Sequence, residues 1–140
     1  MRQRHGASMR TDVFFDTNVL LYLADDGPKA EITEGLLIEG GVANTLVIAE
    51  ATYVLTRKWR MAWSDANALL ATFRANAHVL PLPDEANLRG ARYAERYRLQ
   101  TYDAAIVASA VLAGCTTLWS EDMHDGLVID GLTVRNPYRL

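Results

Sequence analysis

The sequence predicts an α/β fold in which helices sandwich a mainly parallel central sheet. Two observations point there. Short apolar runs of strand length alternate with longer segments of helical spacing along the chain, the pattern of a sheet whose strands are joined by helices. The chain has 140 residues, half of them hydrophobic and 22% charged, enough for one domain with a real core and too apolar for disorder.

The elements follow in order. "DVFF" (Asp12 to Phe15) reads as a buried strand, and "TNVLLYLA" as a helix with Val19, Leu20 and Leu23 at helical spacing, broken at Gly27-Pro28. "KAEITEGLLIEG" is a short amphipathic helix ended by Gly40-Gly41, and "GVAN" a short strand. "TLVIAEATYVLTRKW" is helical from Thr45, a favoured cap residue. "SDANALLATFRANA" starts at a Ser64 cap, and "HVLPL" is a strand with His78 at its start and Pro81 near its end. "DEANLRGARYAERY" is a helix capped by Asp84, and "YDAAIVASAVLAG" one ended by Gly114. "CTTLWS" is strand-like, "EDMHDG" a polar loop, and "LVIDGLTVRNP" one or two short strands around Asp130-Gly131.

Composition excludes several classes. The net charge of −3 gives no global sign of nucleic-acid binding, so any such contact must be local or metal-mediated. A single cysteine, Cys115, rules out an internal disulfide and a cysteine-based zinc site; its apolar setting suits packing. No apolar stretch approaches a membrane span, and "MRQRHGASM" lacks the apolar segment of a secretory signal. Residues 1–10 are expected to form a basic arm, disordered or non-native, ahead of one domain at 11–140, with Met9 a candidate start. A cytoplasmic location is the default.

The chemistry lies in four acids. In open parallel sheets, sites form beyond the C-terminal strand ends. Asp16 ends the first strand and Asp122 follows the "TTLWS" strand, so both fall on one sheet edge. Glu50 sits in the otherwise apolar "LVIAEATYVL" with no Lys or Arg at i±3 or i±4, and Asp103 lies near a helix N-terminus, where the dipole favours an anion. Carboxylates gathered in apolar surroundings raise each other's pKa, and a divalent cation removes the conflict. Oxygen-only ligands favour Mg²⁺ or Mn²⁺ over zinc. Each acid also has an ordinary reading: Asp16 and Asp103 as helix caps, Asp122 as a loop acid, Glu50 as partner of a distant arginine.

Taken together, "FFDTNVLL", "VIAEATYVL", "TYDAAIVASAVLAGCTTLWSED" and "SED" resemble, in order and approximate spacing, the acidic quartet of PIN domains. "LWSEDMHDGLVIDGLTVRNPY" is similar to the VapC-like toxins of bacterial type II toxin–antitoxin modules. The resemblance runs from Val13 to the C-terminus. It implies a PIN-like α/β/α sandwich and a Mg²⁺- or Mn²⁺-dependent endoribonuclease in which Asp16, Glu50, Asp103 and Asp122 bind one or two metals. It implies a metal-activated water and products with 5′-phosphate and 3′-hydroxyl ends. It places Asn18 and Ser120 as supports of the ligands, with Asp125 a further water-mediated candidate. It also implies three partners: an RNA substrate, a cognate antitoxin and a second copy of the chain, with "GLLI" and "LVIAEATYVL" as candidate dimer faces. The same domain could process RNA without being a toxin, or be a catalytically silent interaction module.

"TRKWRMAW" interleaves Arg57, Lys58 and Arg60 with Trp59 and Trp63, which suits RNA, a protein interface, or a basic helix end with its tryptophans in the core. "RYAERYR" (Arg92 to Arg98) raises the same choice. His5, His78 and His124 do not form a site, with His124 best read as a solvated loop residue. A phosphatase of the haloacid dehalogenase type needs a second Asp two residues after the first, where this chain has Asn18.

Overall fold

The computed structural model describes residues 10–139. Six strands form one sheet: β1 (Val13–Phe15), β2 (Val42–Asn44), β3 (His78–Leu80), β4 (Thr117–Trp119), β5 (Val128–Ile129) and β6 (Leu132–Arg135). Their spatial order is β3-β2-β1-β4-β6-β5. All neighbours are parallel except β5 and β6, which form an antiparallel hairpin. The hairpin turns on Asp130 (φ 48°) and Gly131 (φ 84°), two successive left-handed residues of the kind a tight hairpin demands. The helices are α1 (Thr17–Leu21), α2 (Pro28–Glu39), α3 (Thr45–Tyr53), α4 (Trp63–Asn76), α5 (Asp84–Tyr97) and α6 (Thr101–Leu112).

The central strand shows why this is a sandwich. Val13, Phe14 and Phe15 are all buried, so both faces of β1 are covered. Successive side chains point to opposite faces. Phe15 meets Phe73 of α4 edge-on at 5.9 Å between ring centroids, while Phe14 lines a small cavity with Ser109 and Leu112 of α6. Fully burying a phenylalanine is worth about 1.5–3 kcal/mol, and one such ring anchors each helical layer. The apolar character of α6 follows: Ala104 to Ala110 are all buried.

Helix starts differ from the sequence reading in three places. Asn44, not Thr45, caps α3, its Oδ1 accepting from the N–H of Leu46 and Val47. Thr45 is free to accept from the Leu82 N–H instead. Helix α4 begins at Trp63 after Ala62, with Ser64 inside its first turn. Pro83 precedes α5, and Asp84 is its first residue rather than its cap. The end of the third helix winds as a π-helical turn over Val54–Lys58, closed by Arg60 at φ 53°. Residues 1–9 of the expected arm lie outside the described residues; Arg10 pairs with Asp12 at 2.9 Å and Glu39 at 3.2 Å. Cys115 is buried as expected. No helix among the described residues is long and apolar enough to cross a membrane.

Candidate active site

Parallel strands β1 and β4 end side by side, Phe15 opposite Trp119, and the chain places a polar residue immediately after each. Asp16 follows β1 and is buried; its backbone N–H donates to the Trp119 carbonyl at 3.0 Å. Ser120 follows β4, is fully buried, and its hydroxyl donates to Asp16 Oδ2 at 2.7 Å. Ser120 Oγ in turn accepts from the Met123 N–H at 3.3 Å, which fixes the loop after β4. Asp16 also caps α1, its Oδ1 accepting from the Thr17 N–H at 2.7 Å. The cap reading of this residue therefore holds.

Asn18 joins the two strand ends. Its Nδ2 donates to Asp16 Oδ2 at 3.1 Å and to Asp122 Oδ2 at 3.0 Å, while its Oδ1 accepts from the Glu121 N–H at 3.2 Å. On α3, Glu50 accepts a hydrogen bond from the Thr17 hydroxyl. Asp103, the third residue of α6, makes no cap bond; Gln100 stands at the cap position. A depression of about 150 Å³ is lined by Asp16, Thr17, Asn18, Leu21, Glu50, Val54, Asp103 and Asp122. All four expected acids therefore meet at one pocket.

Their electrostatics are those of unneutralised anions. Burial pushes the Asp16 carboxyl up to about 7; the Ser120 and Thr17 hydrogen bonds oppose this, and the charges of Asp103 and Glu50 add to it. Asp103 is raised by burial and by Glu50 and Asp122. Among the described residues no Lys, Arg or His forms an ion pair with any of the four. Their settings are uneven: Asp16 is buried, Glu50 and Asp103 half-buried, and Asp122 exposed. Glu50 and Asp122 are thus more open than apolar surroundings in sequence suggested. Among the described residues no three His, Cys, Asp or Glu side chains lie together closely enough to hold a metal ion between them. Oxygen donors only, a buried carboxyl held against its ionisation, and no protein cation make a donor set that fits Mg²⁺ or Mn²⁺.

Glu121 is sorted away from the pocket. Its carboxylate takes hydrogen bonds from Tyr22 and from Lys29, the latter at 2.5 Å. Burial opposes its ionisation, but these bonds prevail and hold its pKa below the usual range. Lys29 lies over the rings of Tyr22 and Tyr138, 4.9 and 5.5 Å from their centroids, and the Tyr138 and Thr33 hydroxyls bond at 2.7 Å. This clamp ties α2 and the C-terminal turn to the residue before Asp122. Asp125 accepts from the Asn136 N–H at 2.9 Å and does not line the pocket, nor does the exposed His124.

Arg57, Lys58 and Arg60 are exposed, and so are Trp59 (52%) and Trp63 (58%), so the reading that packs these tryptophans in the core does not hold. Tyr93 in the second basic run is buried and bonds Asp130, with Arg92 and Arg96 beside it. Sequence reasoning assigned no role to Thr17, Tyr22, Lys29, Tyr53 or Tyr102. Spacing held a signal for three: Thr17 sits within "DTN", Tyr53 lies one turn after Glu50, and Tyr102 directly precedes Asp103.

Comparison with known structures gives the same fold. Mycobacterium tuberculosis VapC20, described as a sarcin-ricin loop cleaving toxin, superposes with a TM-score of 0.65 at 16% identity, covering 79% of this chain and 89% of that one. A toxin–antitoxin complex from Klebsiella pneumoniae matches with a TM-score of 0.67 at 22% identity, covering 90% and 98%. VapBC2 from Rickettsia felis, bound to a fragment of its promoter DNA, matches with a TM-score of 0.67 at 16% identity, covering 89% and 97%. No curated protein sequence gives a significant match. The family model for the PIN domain matches residues 13–124, and on that match across most of its length the chain belongs to the PIN domain family, a family of nucleases.

Proposed function

We propose that the chain is a divalent-metal-dependent endoribonuclease and the toxin of a toxin–antitoxin pair. One observation carries the reading: four carboxylates from four separate segments line one pocket, with no cation of the described residues paired to any of them. Asp16, Glu50, Asp103 and Asp122 would hold Mg²⁺ or Mn²⁺, directly or through water. When bound, the metal supplies a lowered pKa for a coordinated water and neutralises phosphate charge. The protein's own part is positional. Ser120 and the Thr17 N–H keep Asp16 oriented, Asn18 spaces Asp16 from Asp122, and Thr17 aims Glu50. Asp103, with no hydrogen bond holding it among the described residues, is the carboxylate freest to accept a proton from an attacking water. The exposed Arg57, Lys58 and Arg60 would meet the RNA backbone, and the products would carry 5′-phosphate and 3′-hydroxyl ends.

The toxin assignment leans on likeness to VapC20, VapBC2 and the Klebsiella complex. It brings with it a protein antitoxin and a homodimer. A second reading, a catalytically silent PIN module, draws on the absence of any closed three-carboxylate set among the described residues. Cleavage of a structured RNA by antitoxin-free protein separates them. Wild type and Asp16→Asn are compared in Mg²⁺, Mn²⁺ or excess EDTA. Cleavage that disappears with EDTA and in the variant supports the nuclease. Cleavage that survives in Asp16→Asn sinks this site, and inactivity together with no Mn²⁺ binding by calorimetry favours the silent module.

A further inference from the structure

We infer that the groove beside the acidic pocket is a nucleobase site, taking one unpaired base of the RNA next to the phosphate that is cut. The inference rests on the nuclease reading above and goes beyond it by assigning a substrate contact. The groove encloses about 400 Å³, within the range of about 300–1,000 Å³ usual for small-ligand sites. Leu46, Ala49 and Val54 give it an apolar floor, and Tyr53, Tyr102 and Lys58 stand around it. Glu50 and Val54 line both this groove and the acidic pocket, so the two spaces adjoin.

The placement follows from the chain. Tyr53 lies three residues after Glu50, on the same face of α3. Tyr102 directly precedes Asp103 at the start of α6. Each of two site carboxylates thus has a tyrosine beside it, and the two rings border one groove. Tyr53 is 58% and Tyr102 64% exposed, and among the described residues neither ring has an aromatic partner and neither hydroxyl a hydrogen bond. Less exposed tyrosines elsewhere are engaged: buried Tyr93 with Asp130, half-buried Tyr138 with Thr33. Aromatic faces left open beside a nuclease centre match what an unstacked base requires.

Leu46, Ala49, Tyr53 and Val54 belong to the segment read above as a candidate dimer face, and charge decides between occupants. A cationic side chain from a protein partner would also suit tyrosine faces and Glu50. Lys58, one turn after Val54 and without an ion pair among the described residues, repels such a cation and attracts a phosphate. A nucleotide satisfies the whole groove, its base between the rings and its phosphate at Lys58.

The test is steady-state cleavage of single-stranded RNA oligonucleotides, each abasic at one position, by wild type, Tyr53→Ala, Tyr102→Ala and Lys58→Ala. Stacking of about 1–3 kcal/mol per base corresponds to about a 5–150-fold rise in KM for each tyrosine variant, with kcat retained and Phe replacements close to wild type. One abasic position beside the cut should cost wild type a similar factor and cost the Ala variants nothing further. Absence of any coupled position, with wild type still cutting, overturns the base site alone. Unchanged RNA affinity with an altered sedimentation coefficient in the tyrosine variants would make the groove a protein contact. Wild type that binds Mn²⁺ yet cuts none of the oligonucleotides removes the nuclease reading and this one with it.

Discussion

Asp16→Asn should stabilise the metal-free protein above pH 7 and destabilise it near pH 5. The folded protein holds the Asp16 proton up to about pH 7, whereas the unfolded chain releases it near the ordinary 3.8. Between those values the folded state binds more protons, so stability is full below the unfolded pKa and falls as pH rises, by about 1.4 kcal/mol per pH unit. Ionised Asp16 thus costs about 4 kcal/mol by pH 8. Asparagine removes that cost. It keeps an oxygen for the Thr17 N–H but sets an amide nitrogen against the Asn18 Nδ2 donor, losing a charge-assisted bond worth about 1.5–3 kcal/mol. The net gain is about 1–2 kcal/mol at pH 8 in EDTA, turning into a loss of up to about 1.5 kcal/mol at pH 5. Urea unfolding of both proteins across pH 5–8, followed by the fluorescence of buried Trp119, reads this difference, and pH effects common to both proteins cancel. A difference that stays flat with pH, or a less stable variant at pH 8, refutes the reasoning. Mg²⁺ at ten times its Kd should then add about 1.4 kcal/mol to wild type and little to the variant.

Lys29→Met should weaken Mn²⁺ binding about 10–100-fold while leaving the far-UV spectrum unchanged, because the clamp on Glu121 no longer fixes Asn18 and Asp122; titration calorimetry reads it, and Lys29→Arg should recover part of the loss. Gly41→Ala should destabilise by about 1–3 kcal/mol in thermal or urea unfolding, since an added Cβ falls 2.5 Å from a ring atom of buried Phe15 and 2.9 Å from Val13. Replacing both Arg57 and Arg60 by alanine should make the dependence of log K on log salt shallower by about 0.7 per lost phosphate contact, measured by RNA anisotropy, and an unchanged slope would exclude both residues from the RNA path.

The strand–helix alternation was legible because parallel strands buried on both faces read as short apolar runs, as Val13 to Phe15 and Thr117 to Trp119 do. The convergence of the acids was legible for the same reason: strand ends in a parallel sheet share an edge, so Asp16 and Asp122 had to approach each other. Caps were less legible. Asn44, Thr45, Ser64 and Asp84 all suit helix starts, and a shift of one residue is decided by tertiary demands such as the Leu82 N–H that Thr45 serves. The clamp of Tyr22, Lys29, Glu121 and Tyr138 could not be read, because its members are up to 116 residues apart and no local periodicity links them.

That clamp bears on which acid of "SEDMHD" reaches the pocket. The segment holds three, Glu121, Asp122 and Asp125, and only Asp122 lines it. Glu121 is paired with Lys29 and bonded by Tyr22, while Asp125 is held at the Asn136 N–H and does not line the pocket. Among the described residues, Asp122 receives only the neutral amide of Asn18. A carboxylate left to an amide, beside other carboxylates, retains the electrostatic need that a cation would meet. Preference for Asp122 over Glu121 as the proposed fourth ligand thus comes from satisfying Glu121 elsewhere. Lys29→Met should then do more than loosen Asp122: with Glu121 released, Glu121 becomes a competing anion. Glu121→Gln combined with Lys29→Met should recover Mn²⁺ affinity relative to Lys29→Met alone. If the double variant binds no better, the clamp only positions the loop, and competition plays no part.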